Sequence, residues 1–143
     1  MAELARALAL NVATPVGLEL NLEVESVQLP AVTGEIGILP NHVPILAALK
    51  PGVLRYRTAG GQSAVAAIGA GFVEADATHV RVITEFFAKP EDVVVDEARN
   101  DLEIANQKLK ASAAVLGQPE QVEAQKDLDW AMARIEVAGG SVH

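Results

Sequence analysis

Three histidines and no cysteine leave the chain few groups that could act as ligands, bases or nucleophiles. His42 lies in a Gly/Pro-rich stretch, His79 beside an alternating segment and His143 at the terminus, so no pair has metal-ligand spacing on one element. The lack of thiols excludes a disulfide scaffold and a thiolate metal site. Glu23 and Glu25 fall on one face of a strand-like segment, where an exposed carboxylate pair more often serves solvation than acid/base work. The glycines at 60, 61, 69 and 71 do not form a phosphate loop, because no strand-loop-helix element follows and no Lys-Ser/Thr pair closes them. No catalytic constellation emerges, and neither a metal nor a cofactor is expected.

Glu35 and His42 stand apart because they flank the run GEIGILPNHVP, residues 34–44. Gly34 and Gly37 permit backbone angles that other residues resist, while Pro40 and Pro44 fix φ and remove a donor. With Ile36, Ile38 and Leu39 as its apolar members, this loop is predicted to be rigid. Two uses fit it. A rigid loop presents Glu35 and His42 at low entropic cost, as a recognition loop does; alternatively it packs across one end of the sheet domain with Ile38 and Leu39 as core plugs.

The elements that must position this loop are mostly strands. Leu8, Leu10 and Val12 alternate up to a Thr14-Pro15 turn signal, and Val16, Leu18, Leu20, Leu22 and Val24 alternate with polar residues. Ser26 to Leu29 reads as a further short strand stopped by Pro30. His42 to Leu49 is confined by Pro44, Lys50 and Pro51 to an irregular segment. Val53 to Thr58 and Gln62 to Ile68 form a hairpin about Gly60-Gly61. Phe72 to Glu74 and His79 to Thr84 complete roughly eight to ten short strands, the pattern of an antiparallel two-sheet sandwich.

Period and composition change at Lys89-Pro90. Eight acidic and five basic residues precede residue 88, against eleven and six in the shorter remainder. Val95, Ala98, Leu102, Ala105, Leu109 and Ala113 recur every three or four residues, with Asp92 or Asp96 available as an N-cap and Leu116-Gly117 as the close. Pro119 opens a second stripe of Ala124, Leu128, Ala131, Ile135 and Ala138 that ends at Gly139-Gly140. So short a link makes the helices antiparallel. Their alanine-rich stripes bury little area, which suits a movable hairpin and equally a lid docked over one sheet. Trp130 is either a contact to the strand domain or a core residue.

The 143 residues are half hydrophobic, only 3 % aromatic and 21 % charged, with a net charge of −8. A core of Val, Leu, Ile and Ala follows, and an acidic chain without interleaved basic and aromatic residues is a poor nucleic-acid surface. With one Arg6 and no long apolar run at the N-terminus, no signal peptide is expected. Apolar stretches are interrupted too often for a spanning helix.

The run GEIGILPNHVPILAALKPGVLRY resembles the signature region of the epsilon subunit of F-type ATP synthases, called delta in the mitochondrial enzyme. The likeness extends through the preceding strand pattern, the following glycine pair and the DEAR segment of the first helix. It implies an N-terminal ten-stranded antiparallel β-sandwich over residues 1–88 and a C-terminal antiparallel two-helix hairpin over 89–143. It further implies a non-catalytic rotor subunit that couples c-ring rotation to ATP synthesis, peripheral on the cytoplasmic face of the bacterial inner membrane. The sandwich of such a subunit binds the gamma subunit and the c-ring, and the family's ring-facing glutamate and histidine match Glu35 and His42. The hairpin can extend along gamma toward the alpha and beta subunits and restrain hydrolysis, although the acidic balance of these helices argues against strong inhibition by charge pairing.

Some members bind ATP in the folded hairpin. Asp96, Arg99 and Arg134 match residues of that site, but Asn100 replaces an alanine and Trp130 an arginine. Losing one phosphate-facing cation predicts no tight nucleotide binding. From another class, the alternative is a free-standing β-sandwich that binds a ligand or protein without any ATPase partner.

Overall fold

The computed structural model of the chain describes residues 4–112 and 118–139. Strict alternation makes the first strand, β1 (Leu8–Thr14), whose Leu8, Leu10 and Val12 point inward and are fully buried. It is followed by β2 (Gly17–Ala31), β3 (Gly34–Ile38), β4 (Ile45–Leu49), β5 (Gly52–Thr58), β6 (Ser63–Ile68), β7 (Gly71–Ala75), β8 (His79–Thr84) and β9 (Phe87–Ala88). A single 3-10 turn (Pro90–Asp92) then leads to α1 (Val95–Ala111) and α2 (Pro119–Val137).

Among the described residues the sheet therefore has nine strands, not ten, and it is mixed, because β1 pairs β8 in parallel. Three local features separate it from the sequence expectation. The segments read as two strands on either side of Glu25 are one fifteen-residue strand, β2, with a register shift between Val24 and Ser26 where it meets β5. The extra residue reverses the side-chain phase, so Leu20 and Val24 are buried before it and Val27, Leu29 and Ala31 after it. Pro30 lies inside this strand opposite Glu35. Residues 45–49, expected to be irregular, form β4, which pairs with β7 from Ile45↔Ala75 to Leu49↔Gly71. The flanking prolines lie just outside the ladder, where no N–H is needed. The two-residue β9 is an addition, paired to the end of β6.

The strands run in the order β1-β8-β7-β4-β2-β5-β6-β9, with β3 on β2. Because β1 also pairs with β2, the ladder turns back on itself, and inward side chains from β1 to β8 meet in one aliphatic core. Close backbone approach needs glycine at one point: a Cβ on Gly71 would run into the Ile83 carbonyl.

The helices keep the expected stripes with different caps. Val94, not an aspartate, is the N-cap of α1, and no side chain caps it; Asp92 belongs to the 3-10 turn and Asp96 to the first helical turn. Pro119 opens α2 as predicted, and Gly139 follows its end at φ +80°. The predicted close at Leu116-Gly117, together with Ala113, Gly140 and His143, lies outside the described residues. Ala98 and Ala105 of α1 are buried along with Ala124, Ala131 and Ile135 of α2. A second face of α2, unseen in the periodicity, packs Ala133 and Val137 on Val53 and Ala67, with Trp130 beside them.

Candidate docking surface

Of the run 34–44, expected to be a loop, Gly34–Ile38 form strand β3 and only residues 39–44 form a loop. Ile38 is fully buried and Ile36 packs at the edge of the core, so both anchor it. Leu39 does not: it is 62 % exposed. Gly34 has φ +131°, as its turn position demands, whereas Gly37 sits in the strand without a positive φ. The left-handed residue is instead Asn41, at φ +69°. Asparagine tolerates this conformation better than most residues, and the side chain here is used. Asn41 Nδ2 donates to the Ala5 carbonyl (2.8 Å) and Oδ1 accepts from the Ala5 N–H (3.0 Å). Its own N–H donates to the Ala77 carbonyl (2.8 Å). This two-sided clamp escaped the sequence reading, which credited the glycines; the positive-φ preference of asparagine was the available signal.

Glu35 is exposed on β3, and His42 is partly exposed in the loop beyond it. His42 Nδ1 lies 2.6 Å from the Val43 carbonyl, to which it donates in the Nδ1–H tautomer. The two side chains share no hydrogen bond or ion pair among the described residues. Pro40 is partly buried and Pro44, exposed, leads into β4. Val43 and Leu46 are each 72 % exposed on this side of the chain.

Across the Asn41 bond lies the β7–β8 turn. Asp76 Oδ1 accepts from the backbone N–H of Thr78 (2.9 Å) and of His79 (2.8 Å), and the Thr78 hydroxyl lies 2.7 Å from His79 Nδ1. The Thr78 N–H, then that of His79, hold the Asp76 carboxyl below its ordinary value.

The hairpin residues are disposed differently. Asp96 and Arg99 are exposed on α1. Arg134 on α2, its side chain only 15 % exposed, donates to Asp101 Oδ2 at 2.8 Å, and its guanidinium lies 5.3 Å from the Trp130 ring centroid. Neither Asp96 nor Arg99 shares a hydrogen bond or ion pair with Arg134 among the described residues. Asp101, absent from the sequence expectation, is the partner that holds Arg134. Trp130 stacks on Phe86 (5.3 Å between centroids, 28° between planes), which makes it a contact to the strand region. Arg55 of β5 pairs with Glu136 of α2 at 2.8 Å. No helix among the described residues is long and apolar enough to cross a membrane.

Residues 7–90 match the family described as the beta-sandwich domain of the ATP synthase delta/epsilon chain. The ATP synthase epsilon chain of Synechococcus sp. (strain WH7803) is 39 % identical over 114 residues, covering 80 % of this chain and 83 % of that one. The epsilon chain of Nitratidesulfovibrio vulgaris (strain DP4) is 35 % identical over 136 residues, 95 % and 98 % of the two chains. Among solved structures, a chain of the mitochondrial ATP synthase of Euglena gracilis superposes with a TM-score of 0.78 at 19 % identity, covering 96 % of this chain and 84 % of its own. A chain from the central stalk and c-ring of the Tetrahymena thermophila mitochondrial ATP synthase gives 0.57 at 15 %, covering 98 % and 100 %. These last two likenesses concern the fold. A β-sheet domain followed by a two-helix hairpin, with residues 7–90 matching that family, places the chain in the class of ATP synthase delta/epsilon chains. The chain belongs to the delta/epsilon family of ATP synthase chains, non-catalytic subunits of that enzyme.

Proposed function

We propose that residues 1–88 dock this subunit onto the c-ring and the gamma subunit, so that it turns with the rotor and passes torque toward the catalytic head. Glu35 and His42 face the ring, and aliphatic side chains of the sheet meet gamma. The reading rests most on one observation: exposed Glu35 sits on β3, whose Ile38 is anchored in the core, and His42 sits in the following loop that Asn41 clamps on two sides. Such a loop loses little entropy on binding. The subunit then sits peripherally on the cytoplasmic face of a bacterial inner membrane. Replacing Glu35→Ala together with His42→Ala weakens attachment to the membrane sector and lowers proton-coupled ATP synthesis. Unchanged synthesis and assembly in reconstituted membranes would remove the ring-facing assignment.

Residues 89–143 act as a regulatory hairpin that leaves the sheet to reach the alpha and beta subunits along gamma. The docked contact is compatible with release because it consists of small side chains, one ring stack and one exposed ion pair. Asp96, Arg99 and Arg134 form a vestigial nucleotide site at most. Arg134 is already committed to Asp101, and Trp130 stands where a second cation would be needed. Calorimetric titration with ATP is expected to show no micromolar binding.

A further inference from the structure

The Phe86–Trp130 stack has a foundation on one side and a tether on the other. Its foundation is Thr84, the one buried polar side chain among the described residues. The Thr84 hydroxyl donates to the Gly69 carbonyl (2.9 Å) and lies 3.3 Å from the carbonyls of Ala70 and Phe86. The Gly69 N–H in turn donates to the Phe86 carbonyl (2.9 Å), so the backbone that carries the Phe86 ring is held from two directions. The tether is Arg134, one turn along α2 from Trp130. Its Nε donates to the Trp130 carbonyl (3.4 Å), its guanidinium lies over the Trp130 ring, and its Nη2 reaches Asp101 of α1. Phe86, Trp130, Arg134 and Asp101 thus form one file of contacts from the sheet, through α2, into α1.

We infer that docking of α2 on the sheet and pairing of α1 with α2 are one coupled step, joined by Arg134 as a positioning residue. Among the described residues α1 adds no side chain to the apolar cluster at the sheet, where α2 supplies Ala133, Val137 and Trp130. Its influence on docking therefore runs through α2, and the file of four side chains is the directed route. Lys108 and Asp127, one charge of each sign, line the same groove around Arg134, so they offset each other and Asp101 supplies the charge that answers the guanidinium. Without Asp101 a largely desolvated cation is left unanswered, a cost relieved when the helices part. In the other direction, loss of the stack frees Trp130 to turn, and the guanidinium loses the ring that holds it in line with Asp101. Such a coupling acts equally in both directions. It belongs to the chain itself and holds wherever a released hairpin goes.

Two readouts on the whole chain separate the joints. Because the chain has no cysteine, Val53→Cys places a single thiol in the cluster with Ala133 and Val137, and its rate of maleimide labelling reports undocking. Amide exchange around the buried Ala105 of α1 reports helix pairing. Asp101→Ala is expected to speed labelling as well as α1 exchange, and Phe86→Leu to speed α1 exchange as well as labelling, each by about three- to tenfold. Asp101→Glu keeps a carboxylate for Arg134 and should restore both rates. Glu103→Ala removes a carboxylate of the same helix that accepts from Gln107 instead, and should change neither. If Asp101→Ala opens α1 while the thiol stays as protected as before, or Phe86→Leu undocks α2 without touching α1, the joints are separate and the inference is overturned. No change in either rate overturns it too, since the file then holds neither joint. An equal effect of Glu103→Ala, or equal acceleration of exchange in β1, would mean a general loss of stability and would also overturn it.

Discussion

The two regions of this chain are held by different kinds of contact. The sheet buries Leu, Ile and Val from eight strands in one cluster, and a fully buried side chain of that size contributes about 1.5–3 kcal/mol. Between α1 and α2 the fully buried residues are alanines with one isoleucine, and α2 meets the sheet through Ala133, Val137 and a partly buried tryptophan. Alanine contributes much less area. Specific contacts make up part of the difference: the Phe86–Trp130 stack, the Arg55–Glu136 pair and the Arg134–Asp101 bridge. A region held by bulk burial is hard to open by degrees, whereas one held by a few directed contacts can be released by breaking them.

The sharpest test of that contrast is Leu54→Ala. Leu54 is fully buried, and its truncation is expected to cost about 2–5 kcal/mol, read as a lower urea midpoint for the strand region. Trp130→Ala should do less, removing a ring stack worth about 0.5–1.5 kcal/mol beyond its buried area. Its signature is hairpin release, seen as protease cleavage within α1 and α2 while the strand region keeps its midpoint. Equal loss of midpoint in the two variants would make the regions one cooperative unit and end the comparison. Arg55→Ala is smaller still, about 0–1 kcal/mol, since both members of its pair are well exposed. A double-mutant cycle with Glu136→Ala at low and high salt should show that small coupling fading as salt rises. The smallest effect belongs to Asp76. Its carboxyl titrates below the ordinary 3.8 in the folded chain. The stabilisation is therefore present above the unfolded value and is lost as pH falls through the folded one. Asp76→Ala should flatten the acid end of the stability profile, with little change in the Leu54 and Trp130 contrasts at neutral pH.

Much of the sheet is legible in the sequence because alternation survives wherever one face is buried. Leu8, Leu10 and Val12 reveal β1, and the pattern from His79 to Thr84 matches β8 from end to end. Legibility fails where one residue shifts the phase. At Glu25 a bulge looks like a strand end, because period-two reasoning carries no memory across an inserted residue. Strand β4 is hidden for another reason: Pro44 and Pro51 bracket it closely, and its pairing with β7 and β2 makes it extended. In α2 the stripe through Ala124, Ala131 and Ile135 was visible, but the face at Ala133 and Val137 required knowing that a sheet lies there. Of residues 34–44, the Ile38 anchor could be read, whereas the Asn41 clamp depends on Ala5 and Ala77, neither of which bears a side-chain signal.

The parallel pairing of β1 with β8 sets an order of events at the ribosome. Leu10 meets Val80, so the first strand cannot acquire its second neighbour until nearly the whole strand region has been synthesised. Contacts so distant along the chain are slow to form. Until then the emerging polypeptide carries a sheet with β1 unpaired on one side, a sticky intermediate that a nascent-chain chaperone would have reason to cover. The hairpin, emerging last, arrives after that edge can be sealed.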